Sequence, residues 1–370
     1  MSIYKFYYDW WKNIDKSILF LIILLFSLGL FFSLVSTSLI ASDKLNTNSY
    51  YFFFKHLFYI GIATFFILFF SSLSKNSLFN ISILLFFIFF IFLILVPIIG
   101  VEVKGSKRWL NFLFLPRFQP IEILKPFIII VITLVLCAEK EKNIYYKYFL
   151  SFAIISPIIF LLVTQPDIGQ TLLIFLTWLS LIFISGISLF VFFIFFGVII
   201  SILMYLIFFI PRFKYVKDRI ESFFNPVSGS HNFQSDKASE AIINGGFFGK
   251  GIGEGVLKNR VPEAHTDYIV SVISEEFGAV IIILLMVTFL FFIYQVFKKL
   301  NFEKNNKVKL ALVGSITLIL LQALIHIGVN IRLFPTTGMT LPFLSYGGSS
   351  IIGTAILSGI ILNLTRRRID

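Results

Sequence analysis

The sequence predicts an all-α polytopic membrane protein. Three observations support this fold class: 58% of the 370 residues are hydrophobic, only 14% are charged, and the mean hydropathy is +0.94. A soluble domain has about a quarter of its residues charged, so this composition excludes a cytosolic enzyme, a disordered chain and a disulfide-rich secreted domain. The single cysteine, Cys137, cannot form an internal disulfide and indicates nothing about the redox compartment.

Ten apolar segments have about the 20 residues that a helix needs to cross a bilayer. One charge-free run, 168–211, is long enough for two crossings, with a break near Ser185 to Ser188. The last helix is expected to begin near Phe343, after a stretch rich in proline and glycine. The predicted spans, all within a single domain of residues 1–370, are 17–39, 55–74, 78–100, 119–138, 147–165, 168–186, 188–210, 268–297, 309–331 and 344–365.

An even number of spans places both termini on one side of the membrane. The first charge-free run, 17–42, is longer than the apolar part of a signal peptide, so it predicts a retained first span. Once the long loop 211–267 is set aside, Lys and Arg are more frequent on the side of the termini. The positive-inside rule therefore predicts cytoplasmic termini and an extracytoplasmic loop between the seventh and eighth helices.

The net charge of +12 suggests partners other than nucleic acid, because the chain is so apolar. In a membrane protein, such a charge favours anionic lipid headgroups or a phosphate-bearing substrate. Four cations, Lys104, Lys107, Arg108 and Arg117, lie in the short outer loop between the third and fourth spans, where the charge rule disfavours them. They either belong to a solvated loop or contact outer headgroups, or they form an anion site on the outer face.

Ionisable residues inside a span are costly and therefore candidates for function. Glu122 and Lys125 are three residues apart and share one helix face, so they form either a structural ion pair or part of a polar cleft. Asp167 precedes an apolar helix as an N-cap residue would, and it could also orient a basic partner.

The segment 245–255 contains six glycines. Such a stretch can bring backbone N–H groups close to a phosphate, but it lacks the spacing of a nucleotide-binding loop. A hinge is the better interpretation of this segment.

Asp267 lies just before the eighth span, where a water-filled cleft would meet the membrane. A low-dielectric setting can raise the pKa of a carboxylate towards that of a useful base, although a helix cap is the alternative. Glu275 is expected near the same helix face, roughly 12 Å deeper, and Glu275 and Glu276 could equally form a buried polar network. His265 is interpreted as a hydrogen-bonding residue and not as a metal ligand.

The segment 333–350 places prolines, hydroxyls and glycines at membrane depth. Irregular backbone is tolerated there only when it is buried in protein or lines a cavity. The sequence has no Ser-His-Asp order, CxxC pair, HExxH or DxD motif, so zincin-type hydrolysis and metal-dependent use of a nucleotide sugar are unsupported.

Taken together, these motifs resemble those of the SEDS family (shape, elongation, division and sporulation) of peptidoglycan glycosyltransferases, over most of the chain. Within the family they are more similar to division members than to elongation members. Two positions depart from the family pattern: Ile121 stands in place of a serine, and Asn244 stands where a serine often precedes the paired glycines. The motifs are 107–109, 119–122, 165–171, 245–251, 262–267 and 338–350.

The resemblance implies a ten-span enzyme that polymerises lipid II at the outer face of the bacterial inner membrane, for septal synthesis in cell division. It also implies a class B penicillin-binding transpeptidase of the FtsI type and other division proteins as partners. The essential aspartate of the family corresponds to Asp267, and its important tryptophan region to Arg108 and Trp109.

We therefore expect Asp267 to act as general base, while Arg108, with Lys107 or Lys125, holds the pyrophosphate of the donor. No cofactor is expected with certainty, and a Mg²⁺ or Mn²⁺ ion on the pyrophosphate is left open. The residues expected to bind substrate are Lys107, Arg108, Trp109, Glu122, Lys125, His265, Thr266, Ser345 and Tyr346; those expected to support the site are Gln119, Asp167, Gln170, Glu275, Glu276, Asn330, Gly347 and Gly348.

Three alternatives stay open at this point. Intramembrane charges and glycine-broken helices also suit a flippase or transporter of the lipid-linked precursor. A polymerase of the elongation type and a non-catalytic scaffold for division proteins are the other two.

Overall fold

The computed structural model describes residues 3–36, 50–103, 106–112, 116–139, 143–225, 233–257, 261 and 263–366. These residues form 13 α-helices and one small antiparallel sheet of strands β1 (Val101–Val103) and β2 (Ser106–Trp109). A 3₁₀ turn covers Pro211–Phe213. The helices are α1 (Ile3–Asn13), α2 (Lys16–Ser36), α3 (Tyr51–Ser72), α4 (Lys75–Ile99), α5 (Pro120–Leu136), α6 (Ile144–Thr164), α7 (Ile168–Ile184), α8 (Leu189–Phe209), α9 (Lys214–Phe224), α10 (Phe233–Gly245), α11 (Ile269–Leu300), α12 (Asn306–Asn330) and α13 (Gly348–Leu364).

The protein is an all-α polytopic membrane protein. A helix corresponds to each of the ten predicted spans, and seven of these helices, α2, α3, α4, α6, α8, α11 and α12, are long and apolar enough to cross a bilayer. Helices α5, α7 and α13 have 17 residues each, which is short of the usual length of about 20. The count of ten crossings therefore stays a prediction. Residues 37–39, at the end of the first predicted span, lie outside the described residues.

The core of the bundle is built from α5, α7, α12 and α13, whose side chains are mostly buried. Small residues allow these helices to approach closely: a Cβ added at Gly353 of α13 would overlap the main chain of Glu122 in α5. At the other end of α13, Asn363 Nδ2 donates to the carbonyls of Phe70 at 2.9 Å and Leu73 at 2.6 Å. These contacts attach α13 to the end of α3.

The structure differs from the sequence prediction in three places. The N-terminal tail forms the helix α1, and the loop 211–267 contains α9 and α10. The last helix begins at Gly348, not near Phe343, because the chain before it is held in another conformation. Phe343 has a φ of +67°, and the N–H of Leu341 donates to Ser345 Oγ at 2.8 Å instead of entering a helix.

Helix α11 is broken at Gly278, which has a φ of +79° and a ψ of 178°. In a continuous helix the carbonyls of Glu275 and Glu276 would accept from the N–H groups of Ala279 and Val280. Here the glycine-rich segment, residues 245–255, enters the break and satisfies all four groups. Lys250 N donates to Glu275 O at 2.9 Å and Gly251 N to Glu276 O at 3.0 Å, while Ala279 N and Val280 N donate to Gly246 O at 3.0 Å and Phe247 O at 3.2 Å.

The buried carboxylates of Glu275 and Glu276 bind the same segment and two residues that flank it. Glu275 Oε1 accepts from Asn244 Nδ2 at 2.9 Å and from Leu257 N at 2.8 Å, and Glu276 Oε2 accepts from Gly253 N. The N–H groups of the segment thus bind protein oxygens and do not form a phosphate cradle. The expectation that Glu275 shares a helix face with Asp267 is wrong, because Asp267 lies in the turn before α11 begins at Ile269.

Candidate functional site

Eight of the 18 predicted site residues line one cavity of about 550 Å³, a volume typical of small-molecule sites. We call it the central cavity. It is enclosed by β1 and β2, the first turn of α5, the turn before α11, the irregular loop 331–347, and parts of α9 and α10. The predicted residues that line it are Arg108, Trp109, Gln119, Glu122, Thr266, Asp267, Tyr346 and Gly347.

Asp267 and Arg108 both approach Gly338 in this cavity. A Cβ added at Gly338 would lie 3.6 Å from Asp267 Oδ2 and 3.9 Å from Arg108 Nη1. Gly338 has a φ of +69°, which favours glycine. A carboxylate and a guanidinium therefore face the same small space, and a residue with no side chain separates them.

The turn that carries Asp267 is fixed through its main chain. Asn330, at the end of α12, donates from Nδ2 to Asp267 O at 3.1 Å and accepts from Ser271 N at 3.2 Å. Ser345 Oγ donates to Thr266 O at 2.7 Å, and Tyr346 N donates to His265 O at 3.0 Å. These contacts leave the Asp267 carboxylate half-buried at the cavity wall.

Arg108 is held by the connection between α6 and α7. Its Nε donates to Gln165 O at 3.3 Å, its Nη2 donates to Pro166 O, and its Nη1 lies 3.8 Å from Asp167 Oδ1. Asp167 Oδ2 in turn accepts from Gln119 Nε2 at 2.7 Å. Asp167 also accepts a hydrogen bond from Gln170 N and so caps α7. The same side chain therefore serves as the predicted helix cap and as the predicted partner of a basic residue. The Arg108 side chain is 14% exposed, and these contacts orient its guanidinium.

Glu122 and Lys125 form a buried ion pair with an Nζ–Oε2 distance of 2.8 Å and side-chain exposures of 6% and 4%. Gln170 Nε2 donates to Glu122 Oε1, and Lys125 Nζ donates to Gln322 Oε1 at 3.0 Å. Glu122 reaches the central cavity, whereas Lys125 does not line it. This geometry supports the interpretation as a structural ion pair, because each charge is compensated by the other.

We expect the substitution Glu122→Gln to lower the free energy of unfolding by about 3 kcal/mol, since it leaves the Lys125 ammonium buried without its carboxylate. Most of this loss should return in the double variant Glu122→Gln/Lys125→Met. Thermal unfolding of the purified variants measures both effects.

Glu240→Gln is the matched control, because Lys237 and Glu240 have the same i,i+3 spacing in a far more exposed pair. It should change stability by about 0.5 kcal/mol or less. A single Glu122→Gln variant as stable as this control would contradict the structural role of the buried pair.

The irregular loop 331–347 is anchored by side chains that bind its carbonyl oxygens. Arg219 Nη1 donates to Thr336 O at 2.9 Å, His326 Nδ1 lies 2.7 Å from Met339 O, and Gln322 Nε2 donates to Thr340 O at 3.0 Å. These contacts give hydrogen-bond partners to carbonyl oxygens that no helix or sheet satisfies. Tyr346, near the end of this loop, also lines the cavity.

Several predicted residues lie away from the cavity. Lys107 points to solvent, His265 packs against the Phe52 ring at a centroid distance of 4.2 Å, and Gly348 packs against Tyr59. Lys104 lies outside the described residues. Those that contact or position other parts of the site without lining the cavity are Lys125, Asp167, Gln170, Glu275, Glu276, Asn330 and Ser345.

Arg219 is the main site residue that sequence reasoning missed. It lines the cavity from α9, but it belongs to a long loop with many basic residues and no local pattern distinguishes it. Thr340, Ser349 and Ser350 also line the cavity; they belong to the motif 338–350, but none of them was singled out as a site residue. Among the described residues, no group of three His, Cys, Asp or Glu side chains is placed to hold a metal ion.

Residues 15–369 match the family model of the cell cycle proteins FtsW, RodA and SpoVE. The chain is 32% identical, over 359 residues, to the probable peptidoglycan glycosyltransferase FtsW of Caulobacter vibrioides. The aligned region covers 97% of this chain and 91% of that protein. It is 34% identical, over 355 residues, to the protein of the same name from Coxiella burnetii, with coverages of 92% and 93%.

Two solved structures have a similar fold. One is a chain of a peptidoglycan synthase complex that coordinates polymerization and crosslinking, with a TM-score of 0.77, 22% identity, and coverage of 95% of this chain and 97% of that chain. The other is the rod shape determining protein RodA of Thermus thermophilus, with a TM-score of 0.69, 23% identity, and coverages of 95% and 96%. At these identities the likeness concerns the fold alone.

Proposed function

Because this chain belongs to the FtsW/RodA/SpoVE family of cell cycle proteins, we propose that it is a peptidoglycan glycosyltransferase that polymerises lipid II for septal synthesis. The observation behind this proposal is the approach of both Asp267 and Arg108 to Gly338. A base and a cation in one cavity are what the transfer of a sugar from a diphosphate requires.

In lipid II, the muramyl C1 atom is bonded to undecaprenyl pyrophosphate, which is a good leaving group. The 4-hydroxyl of the acceptor N-acetylglucosamine loses its proton to the Asp267 carboxylate while its oxygen bonds to C1. The bond between C1 and the pyrophosphate oxygen breaks, and the pyrophosphate leaves with the electron pair. Attack from the face opposite the leaving group inverts the anomeric centre.

Arg108 binds the departing pyrophosphate in this mechanism, since a guanidinium can donate two parallel hydrogen bonds to phosphate oxygens. Its contacts with Gln165, Pro166 and Asp167 orient it before substrate arrives. Arg219 is the further cation of the cavity wall and takes the place that Lys107 or Lys125 was expected to fill.

The setting of the reaction is part of the same proposal. The enzyme lies in the bacterial inner membrane at the septum, with cytoplasmic termini and the central cavity on the outer side. A class B penicillin-binding transpeptidase crosslinks the new strand, and other division proteins assemble with both. The fold shared with a chain of a peptidoglycan synthase complex supports such a partner.

The purified protein, combined with its transpeptidase and supplied with lipid II, should produce glycan strands that are visible on a gel. A flippase would move labelled lipid II across vesicles without making polymer, and a scaffold would do neither. If no polymer forms under conditions in which the complex is intact, the proposed function is wrong.

We expect Gly338→Ala to reduce the polymerisation rate about tenfold, because its Cβ would occupy the space between Asp267 and Arg108. The added Cβ would be in ordinary van der Waals contact with both side chains, so the expected loss comes from substrate atoms that it displaces by about 1 Å. Gly186→Ala is the control, since Gly186 also has a positive φ, of +96°, but nothing lies within 4 Å of the added Cβ. Equal rates for the two variants in the gel assay would show that the space beside Gly338 is not used by substrate.

A further inference from the structure

Two further cavities lie at the opposite end of α5 from the central cavity. Helix α5 begins at Pro120 beside the central cavity and ends at Leu136, so its two ends are about 25 Å apart at 1.5 Å per residue. The first of these cavities, which we call the basic cavity, has a volume of about 740 Å³ and lies between the ends of α5 and α7 and the beginnings of α6 and α12. Lys147, Lys307 and Lys309 line it.

The charges of the basic cavity are only partly compensated. Lys307 Nζ lies 3.2 Å from Glu139 Oε1, but the Glu139 side chain is 86% exposed, so this pair is weak. Within the part of the chain that the structure describes, Lys147 and Lys309 have no carboxylate within 4 Å. The first turn of α12 opens into the same cavity through Asn305 and Asn306 and adds the positive end of its dipole.

The second cavity is a groove of about 300 Å³ with almost entirely apolar walls, which we call the apolar groove. Ile83 and Phe87 of α4, Val131 and Leu134 of α5, and Leu150 of α6 line it. Ala138 and Lys147 belong to the walls of both cavities, so the groove and the basic cavity adjoin at these two residues. The basic cavity thus lies next to the apolar groove, with Lys147 in the wall of both.

We propose that the basic cavity and the apolar groove together bind one anionic phospholipid. Its phosphate lies beside Lys147 and Lys309, and one acyl chain follows the groove between α4, α5 and α6. A soluble anion would fill only the basic cavity and a neutral lipid only the groove, whereas an anionic phospholipid matches both. The charge pattern of the sequence predicts the cytoplasmic side for this end of the bundle, where anionic lipids attract basic residues. This site is separate from the proposed catalytic cavity and does not depend on its function.

Native mass spectrometry of the full-length protein, with phosphatidylglycerol or phosphatidylcholine added, tests the proposal. We expect one phosphatidylglycerol to be retained in preference to phosphatidylcholine. Each lysine near a lipid phosphate contributes about a fivefold gain in affinity, so Lys147→Gln/Lys309→Gln should weaken retention about 25-fold. Ala138→Trp, which fills the junction and keeps every charge, should also abolish the preference.

Lys304→Gln is the matched control. Lys304 is exposed and lies in the connection between α11 and α12, close in sequence to Lys307 and Lys309. It does not line the basic cavity. Its variant should retain phosphatidylglycerol as the unmodified protein does. If the double lysine variant also retains it fully, or if phosphatidylcholine is retained equally, the proposal is overturned.

The only cysteine of the chain supplies a readout of position, because Cys137 is half-buried in the wall of the basic cavity. Phosphatidylglycerol should slow the reaction of Cys137 with a maleimide, and phosphatidylcholine should not. This protection should be lost in Lys147→Gln/Lys309→Gln. Equal protection by inorganic phosphate alone would identify the ligand as a soluble anion and would refute a lipid site.

Discussion

Replacing Asp267 by asparagine is expected to slow lipid II polymerisation by at least about a hundredfold, because a positioned general base contributes about 10²–10⁴ to a rate. Asparagine has nearly the same shape as aspartate but cannot accept the proton of the acceptor hydroxyl at neutral pH. The reaction would then depend on water as the base, with the leaving group still bound by Arg108.

The structure indicates that this variant should fold. The contact that places the turn runs from Asn330 Nδ2 to the main-chain oxygen of Asp267, at 3.1 Å, and not to its side chain. A change at the carboxylate therefore leaves the anchor intact. The thermal stability of the variant should lie close to that of the unmodified protein, so that a loss of rate reports on chemistry.

The rate is measured with purified protein, its transpeptidase partner and labelled lipid II. Glu221→Gln is the control, since Glu221 is an exposed carboxylate of α9 that forms a surface pair with Lys217 at 3.6 Å and does not line the cavity. It should polymerise at the unmodified rate. If Asp267→Asn does the same, Asp267 is not the base and the proposed mechanism fails.

Much of the fold follows from the sequence because each spanning helix is a local feature. The break between α7 and α8 is an example: α7 ends at Ile184 and α8 begins at Leu189, on either side of the predicted turn. The start of α13 could not be predicted in the same way. It depends on a local contact of Ser345 with Leu341 and on a contact of Ser345 with Thr266, and the second forms only after distant segments have packed together.

The site shows the same division. Motifs identify Asp267 and Arg108 as candidates, but they are far apart in the chain, and nothing local indicates that both approach Gly338. The sequence alone also could not show which cations line the cavity together with Arg108. Lys125 lies one turn from Glu122 and is neutralised by it, whereas Arg219 reaches the cavity from a helix that hydropathy assigned to a loop.

The glycine-rich segment is expected to tolerate an added methyl group at Gly253 but not at Gly249. Both residues have a positive φ, +83° at Gly249 and +88° at Gly253, so alanine costs about 1–2 kcal/mol of backbone strain at either position. Their surroundings differ. An added Cβ at Gly253 has nothing within 4 Å, whereas at Gly249 it would lie 2.6 Å from the carbonyl carbons of Glu276 and Phe277.

Those atoms belong to the broken turn of α11 and cannot move away cheaply. The segment and the helix are joined there by main-chain hydrogen bonds, such as Gly251 N to Glu276 O at 3.0 Å and Ala279 N to Gly246 O at 3.0 Å. Relieving the overlap means separating them and leaving buried carbonyl and N–H groups unpaired, at about 1–3 kcal/mol for each group. We therefore expect Gly249→Ala to lose about 4 kcal/mol or more.

Thermal unfolding of the two variants in the same detergent measures the difference directly. Gly249→Ala should lower the Tm several times more than Gly253→Ala, or fail to yield folded protein while Gly253→Ala is purified normally. Equal shifts would mean that strain alone limits this segment and that it does not dock into the helix. Because the broken helix begins at Ile269, two residues after Asp267, the loss of docking should also reduce polymerisation. Gly253→Ala gives the rate that backbone strain alone permits.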